Sequence, residues 1–355
     1  MTVAPLTPLT PDFDRRAVLL GGIELATSSG LEIGPSFSPI VPKSDGTRIK
    51  TVDHTDAESL RLKYADNETI DVTRIEAVDY VWSSGRLRDA VPEPGGFDYV
   101  IGSHVLEHMP NPIAFLQDCS NLLAAGGTLA LALPDHRFCF DLLRPTTTIG
   151  QWIDAYDAKR LLHTPGTVAD HVLHATKRDG LIAWTPAHTS PVEFLHTYDE
   201  AIASLEQART QADYLDVHAW VFNPHSFAAL IEVSNRFGLI DLQINELTES
   251  AGMEFFASLQ KSSAIRVAET PDEEAACLDR MLAAREFWRS DSNGAGTEVL
   301  NAPAPPDELP PLTLRSVLDS GRREGDRVAR VARRDGTRII RGVGRRIAKR
   351  RESRP

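Results

Sequence analysis

The sequence predicts an α/β fold: a doubly wound, mostly parallel sheet with helices crossing over its faces. Three observations predict it. Between residues 31 and 261, short apolar runs alternate with stretches of helical period, the pattern of parallel strands joined by crossover helices. Each run stops at turn or polar residues, as a strand buried on both faces should. The 355-residue chain is 42% hydrophobic and 25% charged, which suits one large domain or two ordinary ones and excludes wholesale disorder.

The elements follow in order. Residues 1–29 read as a lead-in, with Pro5, Pro8 and Pro11 among threonines, then a short helix over 15–26. Residues 30–261 form the main domain. Its strands are expected over 31–33, 49–52, 77–81, 99–102 and 128–133. Before the last of these, Asn111 can cap a helix whose first turn accommodates Pro112. Ile113, Leu116, Ser120 and Leu123 recur at helical spacing, and Gly126-Gly127 are expected to stop that helix. Residues 145–215 break the rhythm with a polar, histidine-containing stretch, read as a helical insertion or lid. A turn at Asn223-Pro224-His225-Ser226 opens a helix over 227–237, and a strand pair over 239–247 and 254–259 closes the domain. Thr270-Pro271-Asp272-Glu273 has the form of a capping box opening a helix to about Trp288, within a helical segment over 262–289. Residues 290–312 are a Pro-rich linker and 313–355 a basic amphipathic tail.

Charge divides the chain in two. Residues 315–355 hold 15 Lys and Arg against 5 Asp and Glu, a balance of +10, while the whole chain is −12 and the remainder therefore −22. No apolar run is long enough to cross a bilayer. Residues 17–25 are interrupted by Gly21, Gly22 and Glu24, so a secretory signal is not expected. Three cysteines without close spacing exclude a disulfide framework and suit a reducing cytoplasm.

The chemistry starts at Leu31-Glu32-Ile33-Gly34-Pro35-Ser36-Phe37-Ser38, where a first strand turns towards a helix. Glycine and small residues there admit a nucleotide-like ligand to the backbone. Nineteen residues past Gly34, Asp53 ends the second strand, where a carboxylate can accept from both ribose hydroxyls. Phe97-Asp98-Tyr99-Val100-Ile101, then Ser103-His104-Val105-Leu106-Glu107-His108, and Gly126-Gly127-Thr128-Leu129 follow.

In this order the motifs resemble the class I S-adenosylmethionine-dependent methyltransferases. The resemblance covers residues 30–135, and 215–260 more loosely. It implies a seven-stranded Rossmann-like sheet and S-adenosylmethionine as cofactor. Glu32, Gly34 and Ser36 would shape the pocket for its methionine end, and Asp53 would hold the ribose. Ser103 and His104 would line the methionine and sulfonium side, and Trp82 would flank the adenine. The chain departs from the family where Ser36 and Ser38 replace glycines of the first turn, which narrows the approach.

The sulfonium is an activated electrophile, so the protein must align an acceptor and, for a hydroxyl, remove its proton. Histidine suits that task near neutrality. His104 and His108 lie nearest the expected sulfonium, while His171, His174, His188, His196 and His218 lie in or beside the lid. The preferred catalytic set is His218 with Asp216, paired on one face of a strand, together with His108. His104, Glu107 and His108 also offer metal ligands, with His171 a fourth. Because Val-Leu-Glu-His recurs in family members that need no ion, no metal is assigned and a divalent ion is not favoured.

The arrangement of motifs further resembles methyltransferases of bacterial surface-glycan synthesis. That implies O-methylation of a sugar hydroxyl on a glycan or glycolipid, in a cytoplasmic protein whose tail makes peripheral contact with the inner face of a membrane. A small-molecule natural-product O-methyltransferase differs only in its acceptor. A non-catalytic module binding the cofactor or a partner is the alternative if the serines close the pocket. A nucleic-acid partner is disfavoured by the −22 body, which repels phosphates.

Overall fold

In a computed structural model of the protein, the described residues are 6–262, except 11 and 212, together with 275 and 277–283. The capping box at 270, the linker and the basic tail lie outside them. Residues 275 and 277–283 are helical.

Five strands run parallel: β1 (Ser29–Ile33), β2 (Arg48–Asp53), β3 (Tyr80–Val81), β4 (Phe97–Ser103) and β5 (Leu123–Pro134). Two later strands complete the seven-stranded sheet, β8 (Leu242–Leu247) and β9 (Glu254–Lys261), in the order β3-β2-β1-β4-β5-β9-β8. β9 inserts between β5 and β8, antiparallel to both. The sheet is thus doubly wound and mostly parallel. All five parallel strands end at one edge, where ligands bind in folds of this kind.

Strand alternation divides the core into two layers. Leu129, Leu131 and Leu133 of β5 join Val100, Phe255 and Leu259 on one face. Ala130 and Ala132 turn to the other, with Tyr99, Ile101 and Phe256. The first face is covered by α4 (Pro112–Leu122), α5 (Ile149–Asp157) and α8 (Pro224–Arg236), carrying Phe115, Trp152 and Phe227. The second is covered more thinly, by Leu19 and Leu20 at the end of α1 (Arg15–Leu19) and by Val41.

Three expectations are corrected. The helix anticipated after the first strand is absent: residues 34–46 form a loop closed by a single 3-10 turn, Lys43–Asp45. Pro35, Pro39 and Pro42 remove three backbone donors from it and push their preceding residues out of helical geometry. The anticipated helix at 15–26 is only five residues long and ends at Leu19. Lastly, Gly126-Gly127 do not end a helix. α4 stops at Leu122 and the chain passes directly into β5, with Gly126 at φ 74° inside a register shift against β4.

The insertion comprises α5, α6 (Pro165–His174), a two-stranded antiparallel ribbon of β6 (Thr176–Lys177) and β7 (Glu193–Phe194), and α7 (Tyr198–Thr210). The helices α2 (Ala57–Tyr64) and α3 (Leu87–Ala90) connect β2 to β3 and β3 to β4. Among the described residues no helix is long and apolar enough to cross a membrane.

Candidate active site

The turn after β1 is built by two buried carboxylates. Glu32, 2% exposed, accepts from Ile40 N–H (2.7 Å) and Val41 N–H (3.1 Å), and so pins the proline-rich loop to the sheet. Burial raises its pKa above the ordinary value, outweighing those two amides. Glu32 therefore acts through the loop it holds. Asp53, at the end of β2, accepts from Ser36 N–H (3.0 Å) and His54 N–H (2.8 Å), with His54 Nδ1 2.7 Å away. Ser36 is held by that amide contact at φ 47°, a left-handed conformation costly for any residue with a side chain. Its buried Oγ has no hydrogen-bond partner in the structure.

Gly34 stands at φ 65°, and a Cβ there would meet nothing nearer than Val105 Cγ2 at 3.7 Å. The backbone can thus be approached from the front. Trp82 N–H donates to Asp53 O (2.8 Å), which joins the backbone after β3 to that of this acid. Its ring stacks on Phe115 and its Nε1 donates to Gly85 O.

The end of β4 is tied to the opposite strand. Ser103 Oγ accepts from Arg15 Nη2 (2.9 Å), and Arg15 also donates to Glu254 on β9 (2.7 Å). His104, at φ 53°, stands between Glu254 (Nε2 3.0 Å) and Glu107 (Nδ1 3.2 Å). Burial alone would lower its pKa, but the two carboxylates raise it to about 9. His104 is accordingly an imidazolium near neutrality and has no free ring nitrogen for a metal or a proton.

A second cluster lies beyond it. His218 Nδ1 contacts Asp141 at 2.5 Å, and His108 Nδ1 contacts Asp216 at 2.8 Å. The two rings meet edge to face with centroids 4.6 Å apart. Burial would raise Asp141, but His218 and Arg144 hold it down to about 2. Burial would likewise lower His108, yet Asp216 and Glu107 hold it above its ordinary value. Glu107, fully buried between His104 and His108, is kept below the usual carboxylate range by those imidazoles despite its desolvation.

The anticipated Asp216–His218 pair does not form. Residues 214–223 are not a strand, and each of the two acts on a partner from elsewhere in the chain, Asp216 on His108 and His218 on Asp141. His171 is pushed down to about 3 by burial, and its Nδ1 accepts from His218 N–H at 3.3 Å, so it supports the segment from behind. His174 pairs with Asp170, and His196 approaches Glu200 on the exposed face of the insertion. His188 Nδ1 accepts from Thr185 N–H.

Arg144, 3% exposed, joins the cluster to a pocket. Its Nη1 donates to Asp141 (2.7 Å) and to His218 O (2.8 Å). On its other side a polar cavity of about 360 Å³ opens, with Arg144, Gln151, Asp154, Arg160, Asp170 and Trp220 among its walls.

Comparison with known proteins now decides the family. A sequence model described as "Methyltransferase domain" matches residues 49–235, more than half of the chain. The chain belongs to that family. It is a class I S-adenosylmethionine-dependent methyltransferase, and S-adenosylmethionine is its cofactor. The ubiquinone biosynthesis O-methyltransferase of Xanthomonas campestris is 46% identical over 43 residues, 12% of this chain and 18% of that protein. The chain thus matches less than a fifth of the length of these curated relatives. Among solved structures, a putative S-adenosylmethionine-dependent methyltransferase from Listeria monocytogenes is similar at TM-score 0.33 and 12% identity, over 70% of this chain and 98% of that one. One from Methanosarcina mazei is similar at TM-score 0.35 and 13% identity, over 70% and 99%. A putative Zn-dependent alcohol dehydrogenase from Rhodobacter sphaeroides is similar at 0.38 and 12%, over 72% and 90%.

The edge of this methyltransferase fits its cofactor. Gly34 leaves its backbone uncovered, Ser36 turns a left-handed corner with an unused hydroxyl, and Asp53 closes β2 with a buried carboxylate beside that corner. Asp141, Arg144, Arg15 and Glu254 were not singled out from the sequence. Asp141 and Arg144 share an i, i+3 spacing, but the partner that gives Asp141 its meaning lies 77 residues away in sequence.

Proposed function

We propose that this methyltransferase transfers the methyl group to a hydroxyl oxygen, and that the acceptor is a sugar on a glycan or glycolipid. The observation that carries the reading is the pair of imidazoles, each backed by a carboxylate, set around buried Glu107 beyond the end of β4. A hydroxyl accepting a methyl group must lose a proton, and imidazoles held at Nδ1 by carboxylates are fitted to that demand. Asp141 orients His218, Asp216 orients His108, and the three groups together form the basic centre. The mixed donors and acceptors of the Arg144 cavity, with Trp220 as an apolar wall, suit a polyhydroxylated ligand. The short match to an O-methyltransferase points to oxygen as well.

S-adenosylmethionine supplies an activated methyl group when bound. Gly34 and Ser36 would admit its methionine portion, Asp53 would accept from the ribose hydroxyls, and Trp82 would stand beside the adenine. His104, cationic between two carboxylates, suits the methionine carboxylate better than the sulfonium, which it repels. The basic tail would hold the protein against an anionic membrane carrying a lipid-linked acceptor.

The test is an acceptor screen read by S-adenosylhomocysteine release, comparing nucleotide sugars, lipid-linked saccharides and phenolic hydroxyls. Saccharides are expected to be methylated, with His218→Ala lowering kcat by about 10²-fold or more while S-adenosylhomocysteine still binds. Turnover on phenols alone would overturn the sugar assignment, and full activity in His218→Ala would overturn the basic centre. Deleting residues 312–355 is expected to shift the protein from membrane to soluble fractions.

A further inference from the structure

We propose that Glu107, His108 and His218 form a binding site for a divalent first-row transition-metal ion. One ligand atom from each lies within 4.8 Å of the other two. With bonds of about 2.1 Å, ligand atoms on one ion stand roughly 3–4 Å apart, so the side chains need to close by about 1 Å. Two imidazoles and one carboxylate are the donor set such ions prefer, and three protein ligands leave a position for an oxygen from outside.

Two further features point to an ion. Glu107 is completely buried, and its one close partner, His104 Nδ1 at 3.2 Å, faces Oε1 and leaves Oε2 without a hydrogen bond. A buried carboxylate in that condition is costly, and coordination would satisfy it. Each imidazole also has its Nδ1 beside a carboxylate, Asp141 for His218 and Asp216 for His108. That contact fixes the ring and leaves Nε2 as the donor, the arrangement that supports metal-binding histidines. The sequence suggested Glu107 and His108 together with His104 and His171, in place of His218. His104 is consumed by Glu107 and Glu254, His171 by the His218 amide, and His218 arrives from 110 residues beyond His108.

The inference rests on the O-transfer reading in one respect: the vacant coordination position would be taken by the acceptor hydroxyl. As ligands the imidazoles would no longer take the proton themselves: the ion would lower the pKa of the bound hydroxyl, its proton would pass to solvent, and the oxygen would take the methyl group as the sulfonium bond breaks and S-adenosylhomocysteine leaves.

The full-length protein, freed of metal with a chelator, would be titrated with Co²⁺ and Zn²⁺ by calorimetry, with the visible absorption of bound Co²⁺ followed in parallel. One ion per chain is expected. Glu107→Gln and His218→Ala should each weaken binding 10-fold or more while retaining S-adenosylhomocysteine affinity, which certifies their fold. His108→Asn provides a third variant should either fail to fold, and Asp53→Ala should bind the ion as wild type does. Failure of the wild-type protein to take up Co²⁺ or Zn²⁺, or full affinity in the ligand variants, would overturn the site. Sugar methylation by chelated, ion-free protein would overturn the site's role and leave O-transfer standing. Ion binding with no hydroxyl acceptor methylated would do the reverse.

Discussion

Asp53 carries more than one duty at the residue scale. Its carboxylate fixes the Ser36 amide and so sets the left-handed corner, and it is the group proposed above to accept from the ribose hydroxyls. Replacing it with alanine removes both effects. Calorimetric titration with S-adenosylhomocysteine should show Asp53→Ala weakened by 10-fold or more, about 1.4 kcal/mol. Unchanged affinity would mean that the ribose is held elsewhere. Ser36 shows how the chain tolerates a departure from glycine: the cost of a left-handed residue, about 1–2 kcal/mol, is offset by a hydrogen bond to a buried acid. The serine was legible as an anomaly in the sequence. Its solution was not, because it depends on a strand 17 residues further on.

At the scale of elements, close approach decides where glycine is required. Gly30 on β1 faces Tyr99 on β4 across the parallel register, and a Cβ there would come within 2.1 Å of the tyrosine ring. Tyr99 is fully buried, so the ring has little room to yield. Gly30→Ala should therefore lower the urea midpoint by the equivalent of about 3 kcal/mol, and Tyr99→Leu in the same chain should restore much of the loss. If Gly30→Ala is neutral, β1 and β4 are less closely packed than described. The loop at 34–46 makes a related point. Three prolines prevent the helix that the strand pattern led one to expect, and Glu32 replaces its internal hydrogen bonds with two from a side chain.

Across the whole molecule, Arg15, Ser103, His104, Glu107 and Glu254 link the N-terminal helix, the end of β4 and the start of β9. The pH dependence of stability follows from that network. His104 is raised from 6.5 to about 9, so its stabilisation is complete below its unfolded value and is lost as pH rises through about 9. Glu254 is buried, yet His104 and Arg15 lower it from 4.5 to about 2, so its stabilisation is present above 4.5 and is lost as pH falls through about 2. Urea unfolding from pH 3 to 10 should show the contribution of the pair greatest between about 4.5 and 6.5. Glu254→Gln should flatten both limbs. Limbs that persist unchanged in that variant would assign the pH dependence to other groups.

The sequence by itself determined the sheet and the turns at the edge where its parallel strands end. Apolar runs of strand length, a glycine at the first turn and an acid at the end of the second strand are local features, and local sterics and burial fix them wherever the chain folds. It also located the histidines. What only the tertiary structure decided is which carboxylate each histidine answers to. Asp141 reaches His218, Asp216 reaches His108, and Glu254 reaches His104 across 150 residues. An imidazole becomes a base, a cation or a ligand according to the charges within a few ångströms of it. Distance along the chain does not give those charges, because the fold brings them together.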